Sequence, residues 1–213
     1  SEFSILTYDL LGHGKTPFNK EKLNLKDFSN QLLELLDHLK IETINLVGFS
    51  LGSLIALDFS SRFQNKVEKL ILIGTTYKRS DQERSLVLDR YNQAKLNKPI
   101  SRQALKRWFS DKYLKQNPKT YDFFIKILNK MPDDHKNFLK AYELFANHYD
   151  DLEAIKKIDR KTLVMTGSED VGSTPAMSKE LVKDLVNSTY IEIKNGKHLC
   201  SIECEDDVNM NIK

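Results

Sequence analysis

The 213 residues are enough for one domain with its own core, and 40% hydrophobic and 30% charged residues are ordinary for a globular chain. A net charge of +3, with Lys and Glu interleaved, argues against a nucleic-acid binder, and no apolar run approaches the roughly 20 residues that span a bilayer. Two cysteines, Cys200 and Cys204, are too few for a disulfide framework; with no signal peptide in view, a reducing, cytoplasmic setting is expected.

In chain order, residues 3–8 form a short apolar run read as a strand, followed by Asp9 and the turn Gly12-His13-Gly14. Residues 25–39 place Phe28, Leu32, Leu35, Leu36 and Leu39 at helical spacing. Residues 44–47 read as a buried strand, 51–63 as a helix and 70–73 as a third strand ended by Gly74. The alternation then stops. Helical segments are predicted at 81–94, 101–114, 121–131 and 134–148, punctuated by Pro99, Pro118 and Pro132. Alternation resumes with a strand at 162–166, a helix at 175–186 and a strand at 189–193. This order predicts an α/β fold with a mostly parallel sheet covered on both faces. Its core is residues 1–74 and 159–213, and 75–158 form an inserted helical lid.

Gly48-Phe49-Ser50-Leu51-Gly52 matches G-x-S-x-G, between a buried strand and an apolar helix. That setting is the one in which the motif acts as a nucleophile elbow. The serine sits on a strained turn, so its glycine neighbours are expected to lack bulk where strand and helix pass close. The turn lifts the Ser50 hydroxyl clear of the sheet and aims the Leu51 backbone N–H at a developing oxyanion. The competing reading is a plain strand-to-helix turn with a serine N-cap.

A serine nucleophile needs a base, usually histidine, itself held by a carboxylate. His38 lies on a polar helix face, His135 and His148 lie in the helical block, and His13 suits a backbone role in its turn. His198 follows the last strand, where α/β sheets place chemistry. Asp170 has the same placement after the preceding strand. Adjacent Glu169 is the alternative; the shorter side chain of Asp170 suits a fixed partner for the imidazole. The order Ser50, Asp170, His198 is that of the α/β-hydrolases.

The chain resembles the α/β-hydrolase superfamily in four separated motifs. Besides the elbow, Asp9 to Thr16 resembles the family's D-x-x-G-H-G-x-S turn after its fourth strand. Thr166 to Pro175 resembles the acid loop, and Asn195 to Leu199 the histidine loop. The last two are most similar in wording to the 3-oxoadipate enol-lactonase-like branch. Aspartate-nucleophile relatives, the haloalkane dehalogenases and epoxide hydrolases, are excluded by Ser50. Ser53 stands where many members carry glycine, and a small packing change is expected from it.

The resemblance also implies a departure. If residues 3–8 are the family's fourth strand, its first three strands are missing from this chain. So is the loop that supplies a second oxyanion donor, whose loss elsewhere costs on the order of 100- to 1,000-fold in rate. The third strand would lie between the fourth and fifth, so residues 3–8 must slide onto the elbow strand or leave a gap. The end at Lys213 is also short of the family's last helix. The chain therefore reads as part of a longer one, and as a poor enzyme alone.

Other motifs fail on spacing. Gly14-Lys15-Thr16 lacks the P-loop glycine, position 9 being Asp, and Gly12-His13-Gly14 meets Pro17 where G-x-G-x-x-G needs glycine. His198, Cys200 and Cys204 lack the paired clusters of a zinc site, so no metal is expected, and the cysteines are read as packing on a short helix. Phe49 and Trp108 are candidate substrate-lining residues; Trp108 and Phe109 on the lid either line the pocket or pack the lid's core.

The expected function is hydrolysis of a small carboxylic ester, thioester or lactone, with no cofactor, no nucleic-acid partner and no membrane contact. Perhydrolysis or C–C bond hydrolysis on the same triad, or a pseudoenzyme, are the alternatives. The sequence names neither the substrate nor an oligomeric state.

Overall fold

The computed structural model describes residues 3–96, 101–129 and 135–212. The helix limits expected at Met131 and Asp134, and the breaks at Pro99 and Pro132, fall outside the described residues. Four strands form one parallel sheet in the order β1-β2-β3-β4: β1 Ile44–Phe49, β2 Val67–Ile73, β3 Lys161–Gly167 and β4 Ser188–Ile193. Helix α1 (Leu25–His38) precedes β1, and α2 (Leu51–Arg62) crosses from β1 to β2. Between β2 and β3 lie α3 Asp81–Lys95, α4 Ser101–Trp108, α5 Asp111–Gln116, α6 Pro118–Asn129, α7 His135–Asn147 and α8 Leu152–Ile155. Helix α9 (Pro175–Asp184) crosses from β3 to β4, and α10 (Cys200–Glu203) and α11 (Glu205–Ile212) follow.

The pleat sorts the core into two faces. Leu70 and Leu72 of β2 and Val164 of β3 pack with Leu36 of α1, Phe59 of α2 and Leu181 of α9. The alternate residues Ile71, Ile73 and Met165 pack with Ile193, Cys200 and Val208 under α10 and α11. Burial pushes the Cys200 thiol up to about 12, as its packing role requires.

Helices begin where local capping dictates. Asn24 and Asp27 form a capping box on α1, and Ser80 and Glu83 form one on α3. The segment 101–114, expected as one helix, divides at Phe109-Ser110. The Ser110 hydroxyl accepts from the Tyr113 N–H and starts α5 afresh, while its own N–H donates to Glu203. A side chain at an N-cap thus outcompetes a continuous helix.

The strand expected at 3–8 does not form. The segment stays out of the sheet: among the described residues no strand pairs with the outer edge of β1, so 3–8 does not slide onto the elbow strand. Ile5 stands 83% exposed. The chain is instead held at its turn. The Leu11 N–H donates to Gln31 Oε1 at 3.0 Å, and Gln31 Nε2 donates to the Asp9 carbonyl at 2.9 Å. Asp9 folds over Gly14, whose φ is +53°, and its carboxylate accepts from the Lys15 N–H; a Cβ at Gly14 would sit 2.3 Å from that carboxylate. His13 Nδ1 lies 3.0 Å from the Leu11 carbonyl, the backbone role expected of it.

The helical insertion is pinned at its neck. The Lys78 N–H donates to Asp150, Arg84 to the His148 carbonyl and Arg79 to the Phe145 carbonyl. Both ends of the insertion are thereby tied together beside the carboxyl end of β2. No described helix is long and apolar enough to cross a membrane.

Gln31→Ala removes both side-chain bonds to the amino-terminal segment. It should cost about 1 kcal/mol in urea unfolding and speed limited proteolysis within residues 9–16 while the sheet stays folded.

Candidate active site

The site begins with one strained residue. Ser50, between β1 and α2, has φ +53° and ψ −116°, a conformation disfavoured for any residue with a Cβ. Its N–H donates to the Ile73 carbonyl at 2.9 Å, extending the β1–β2 ladder to the end of the sheet. The alternative of a serine N-cap is not what forms: the Ser50 side chain makes no capping bond to α2.

The two glycines of the motif play different parts. A Cβ on Gly48 would lie 2.4 Å from the Gly52 carbonyl oxygen and 2.6 Å from the Ser53 Cα, so strand and helix can cross only over glycine there. A Cβ on Gly52 would meet nothing within 4 Å. The expectation of close passage therefore holds at Gly48 and fails at Gly52. Ser53 does more than the small packing change expected of it. Fully buried, it donates its hydroxyl to the Ser50 carbonyl and braces the turn from inside the helix.

His198 and Asp170 converge on this serine from the ends of β4 and β3. His198 Nε2 lies 3.0 Å from Ser50 Oγ, and His198 Nδ1 lies 2.7 Å from Asp170 Oδ2. A carboxylate oxygen can only accept, which assigns the proton to Nδ1 and turns the Nε2 lone pair toward the serine hydroxyl. Asp170 is buried, and its other oxygen accepts from the Gly172 and Ser173 N–H groups at 2.8 and 3.0 Å. Neighbouring Glu169 is exposed to solvent. Burial and the Gly172–Ser173 loop, rather than side-chain length alone, separate the two acids.

Close backbone approaches bring these loops together. A Cβ on Gly167 would lie 2.3 Å from the Gly196 carbonyl, so the acid and histidine loops touch only because Gly167 has no side chain. Gly74, at φ +61°, lies beneath the imidazole, where a Cβ would be 3.3 Å from Cε1 and Nδ1 of His198. The Phe49 ring packs on the imidazole at 5.0 Å between centroids. Glu203 receives the N–H groups of Ser110 and Lys197, and the Leu199 N–H donates to the Trp108 carbonyl, fastening the histidine loop to the α4–α5 corner.

His13, His38 and His148 stay away from this cluster. His38 is exposed at the end of α1, His13 is engaged in its turn, His148 faces Asp150 at 3.4 Å, and His135 opens α7.

A cavity of about 390 Å³ opens over Ser50 and His198 beneath the helical insertion. Phe49 and Trp108 line it; Phe109 does not, and is buried between α4 and α6. Arg90 of α3, Arg107 of α4 and Tyr142 of α7 also reach the cavity. Sequence reasoning missed them because in a helical block an arginine facing a cavity and one facing water have the same pattern. Gly74 was read only as the end of a strand. No group of His, Cys, Asp and Glu able to hold a metal exists among the described residues.

Comparison with known proteins accords with this geometry. The family model for the alpha/beta hydrolase fold matches residues 1–203. The chain belongs to the α/β-hydrolase family. This α/β-hydrolase is 24% identical over 210 residues to an (E)-2-((N-methylformamido)methylene)succinate hydrolase of Acinetobacter baylyi, covering 97% of this chain and 78% of that protein. It is 22% identical to a 3-oxoadipate enol-lactonase of the same organism, over 95% of this chain and 74% of the other. In structure it superposes on an enol-lactonase from Burkholderia xenovorans with a TM-score of 0.86 at 24% identity, covering 96% of this chain and 77% of that one.

Gly48→Ala should destabilise the α/β-hydrolase by more than about 2 kcal/mol, because backbone must shift. Gly52→Ala should be neutral or gain up to about 1 kcal/mol from helix propensity. Urea denaturation of the two variants measures both.

Proposed function

We propose that this α/β-hydrolase is a serine hydrolase that cleaves a small carboxylic ester, thioester or lactone through an acyl-enzyme on Ser50. The observation that carries the reading is the continuous contact from Asp170 Oδ2 through His198 to Ser50 Oγ, at 2.7 and 3.0 Å. The names of its relatives, an enol-lactonase among them, agree with hydrolysis of a small molecule.

Each residue has a derived task. As Ser50 Oγ attacks the substrate carbonyl carbon, its proton passes to His198 Nε2. Asp170, fixed by two backbone donors, holds the tautomer and stabilises the imidazolium. The oxyanion meets the Leu51 N–H, one of the first N–H groups of α2, which have no acceptor within the helix. His198 then protonates the leaving alcohol, thiol or lactone oxygen. Water, deprotonated by the same imidazole, attacks the acyl group and frees Ser50. None of these steps calls for a metal or organic cofactor. The helical insertion acts as a lid, and its apolar wall keeps bulk water from the acyl-enzyme.

A fluorophosphonate probe should label wild type at Ser50 and leave Ser50→Ala unlabelled, read by intact mass. Hydrolysis of p-nitrophenyl acetate should disappear with the same substitution. An unlabelled wild type would overturn the proposal. Asp170→Asn should keep the fold but reduce kcat by about 10⁴-fold, because an amide no longer enforces the productive tautomer.

A further inference from the structure

The cavity over Ser50 has a feature that hydrolysis of a neutral ester does not use. Its wall is mostly apolar, with Val87, Trp108, Phe124 and Phe145 among the lining residues, yet two guanidinium groups, Arg90 and Arg107, line it as well. Apart from these, its charged or titrating side chains among the described residues are Asp170 and His198, with the phenol of Tyr142 beside them. Neither arginine is fully solvated; both are half-buried.

Among the described residues, no carboxylate lies within ion-pair distance of Arg90 or Arg107. Arg107 Nη1 donates to the Gln103 carbonyl of its own helix at 3.1 Å, which leaves the rest of its donor fork uncommitted. The acid in the cavity, Asp170, is spent on His198 and two backbone N–H groups. The arginines also disfavour one another. Burial, and then the neighbouring Arg90 charge, lower the affinity of Arg107 for its proton. Two like charges on a half-dry wall are costly unless an anion joins them. A guanidinium fork matches a planar carboxylate in geometry and charge.

We infer that the substrate carries a free carboxylate remote from its scissile carbonyl, and that Arg90 and Arg107 receive it while Ser50 takes the carbonyl. This rests on the proposed serine hydrolysis and adds the substrate class to it. The arginines lie on α3 and α4, so substrate selection belongs to the lid and bond cleavage to the sheet. A cavity of about 390 Å³ suits an acyl chain of a few carbons with an acid at its end.

The test compares two esters that differ in one group. p-Nitrophenyl hydrogen glutarate has a carboxylate where p-nitrophenyl pentanoate has a methyl, with spontaneous hydrolysis subtracted using Ser50→Ala. Wild type should prefer the glutarate in kcat/KM by at least about tenfold, the scale of a charge-assisted contact. The double variant Arg90→Gln/Arg107→Gln, checked for folding by its melting curve, should bring that ratio to within about twofold of unity. Arg107→Lys, which keeps the charge but loses the fork, should fall between them. Equal rates on the two esters, or a preference that survives the double variant, would overturn the inference. If Ser50 neither labels nor turns over, the catalytic reading fails and binding decides this one separately. Free glutarate should then raise the melting temperature of wild type where glutaramide does not, and should leave the double variant unmoved. No difference between the two ligands would overturn the anion site by itself.

Discussion

Ser50 occupies a backbone conformation that costs on the order of 1–3 kcal/mol, and much of the molecule is arranged so that it has no alternative. β1 enters the turn hydrogen-bonded to β2 up to Phe49, and the Ser50 N–H continues the pairing to Ile73. α2 leaves it with Leu54, Ile55, Ala56, Leu57 and Phe59 buried. Strand and helix are each anchored by packing that one residue's strain cannot overcome. Gly48 allows them to cross, and Ser53 braces the Ser50 carbonyl from within the helix.

The parallel sheet turns this local strain into a site. Its strands run in one direction, so the loops after β1, β3 and β4 leave the same carboxyl end of the sheet and deliver Ser50, Asp170 and His198 to one place. Bringing residues 148 positions apart to 3.0 Å needs loops that touch, and that contact depends on glycine. Gly167 lets the acid loop lie on the backbone of the histidine loop, and Gly74 leaves room for the imidazole. Neither glycine lines the cavity, yet a side chain at either would move His198.

The helical insertion belongs to a different part of the design. Its neck is fixed by Asp150, Arg79 and Arg84, and its inner wall is bonded to the histidine loop through Glu203 and Leu199. The wall over the serine therefore rests on the loop that carries His198. The carboxyl end of the sheet holds Ser50, Asp170 and His198, and the insertion presents an apolar wall with two arginines to whatever reaches them.

Much of this was legible in the amino-acid order. Helical spacing in α1, the apolar runs of β1 and β2, the break in alternation after Gly74, and the G-x-S-x-G, acid and histidine loops are local signals; the burial expected of β1 is not one, because β1 lies at the edge of the sheet with Val47 exposed. They survive in sequence because propensity, capping and turn chemistry act over a few residues. Other features had no such signal. Residues 3–8 have a strand's composition but join no strand ladder, and strand pairing is decided by what the rest of the fold sets alongside. One pentapeptide contains a glycine that is indispensable for space and another that is not; only the path of α2 across β1 distinguishes Gly48 from Gly52. Glu169 and Asp170 are adjacent acids, separated by which one the fold buries beside His198. Nothing local marks Arg90 and Arg107; they come to line a cavity only when the insertion folds over the sheet. The chemistry-bearing residue types were thus determined by the sequence alone, whereas their distances, their burial and the charge of the cavity arise from long-range packing, which no local pattern records.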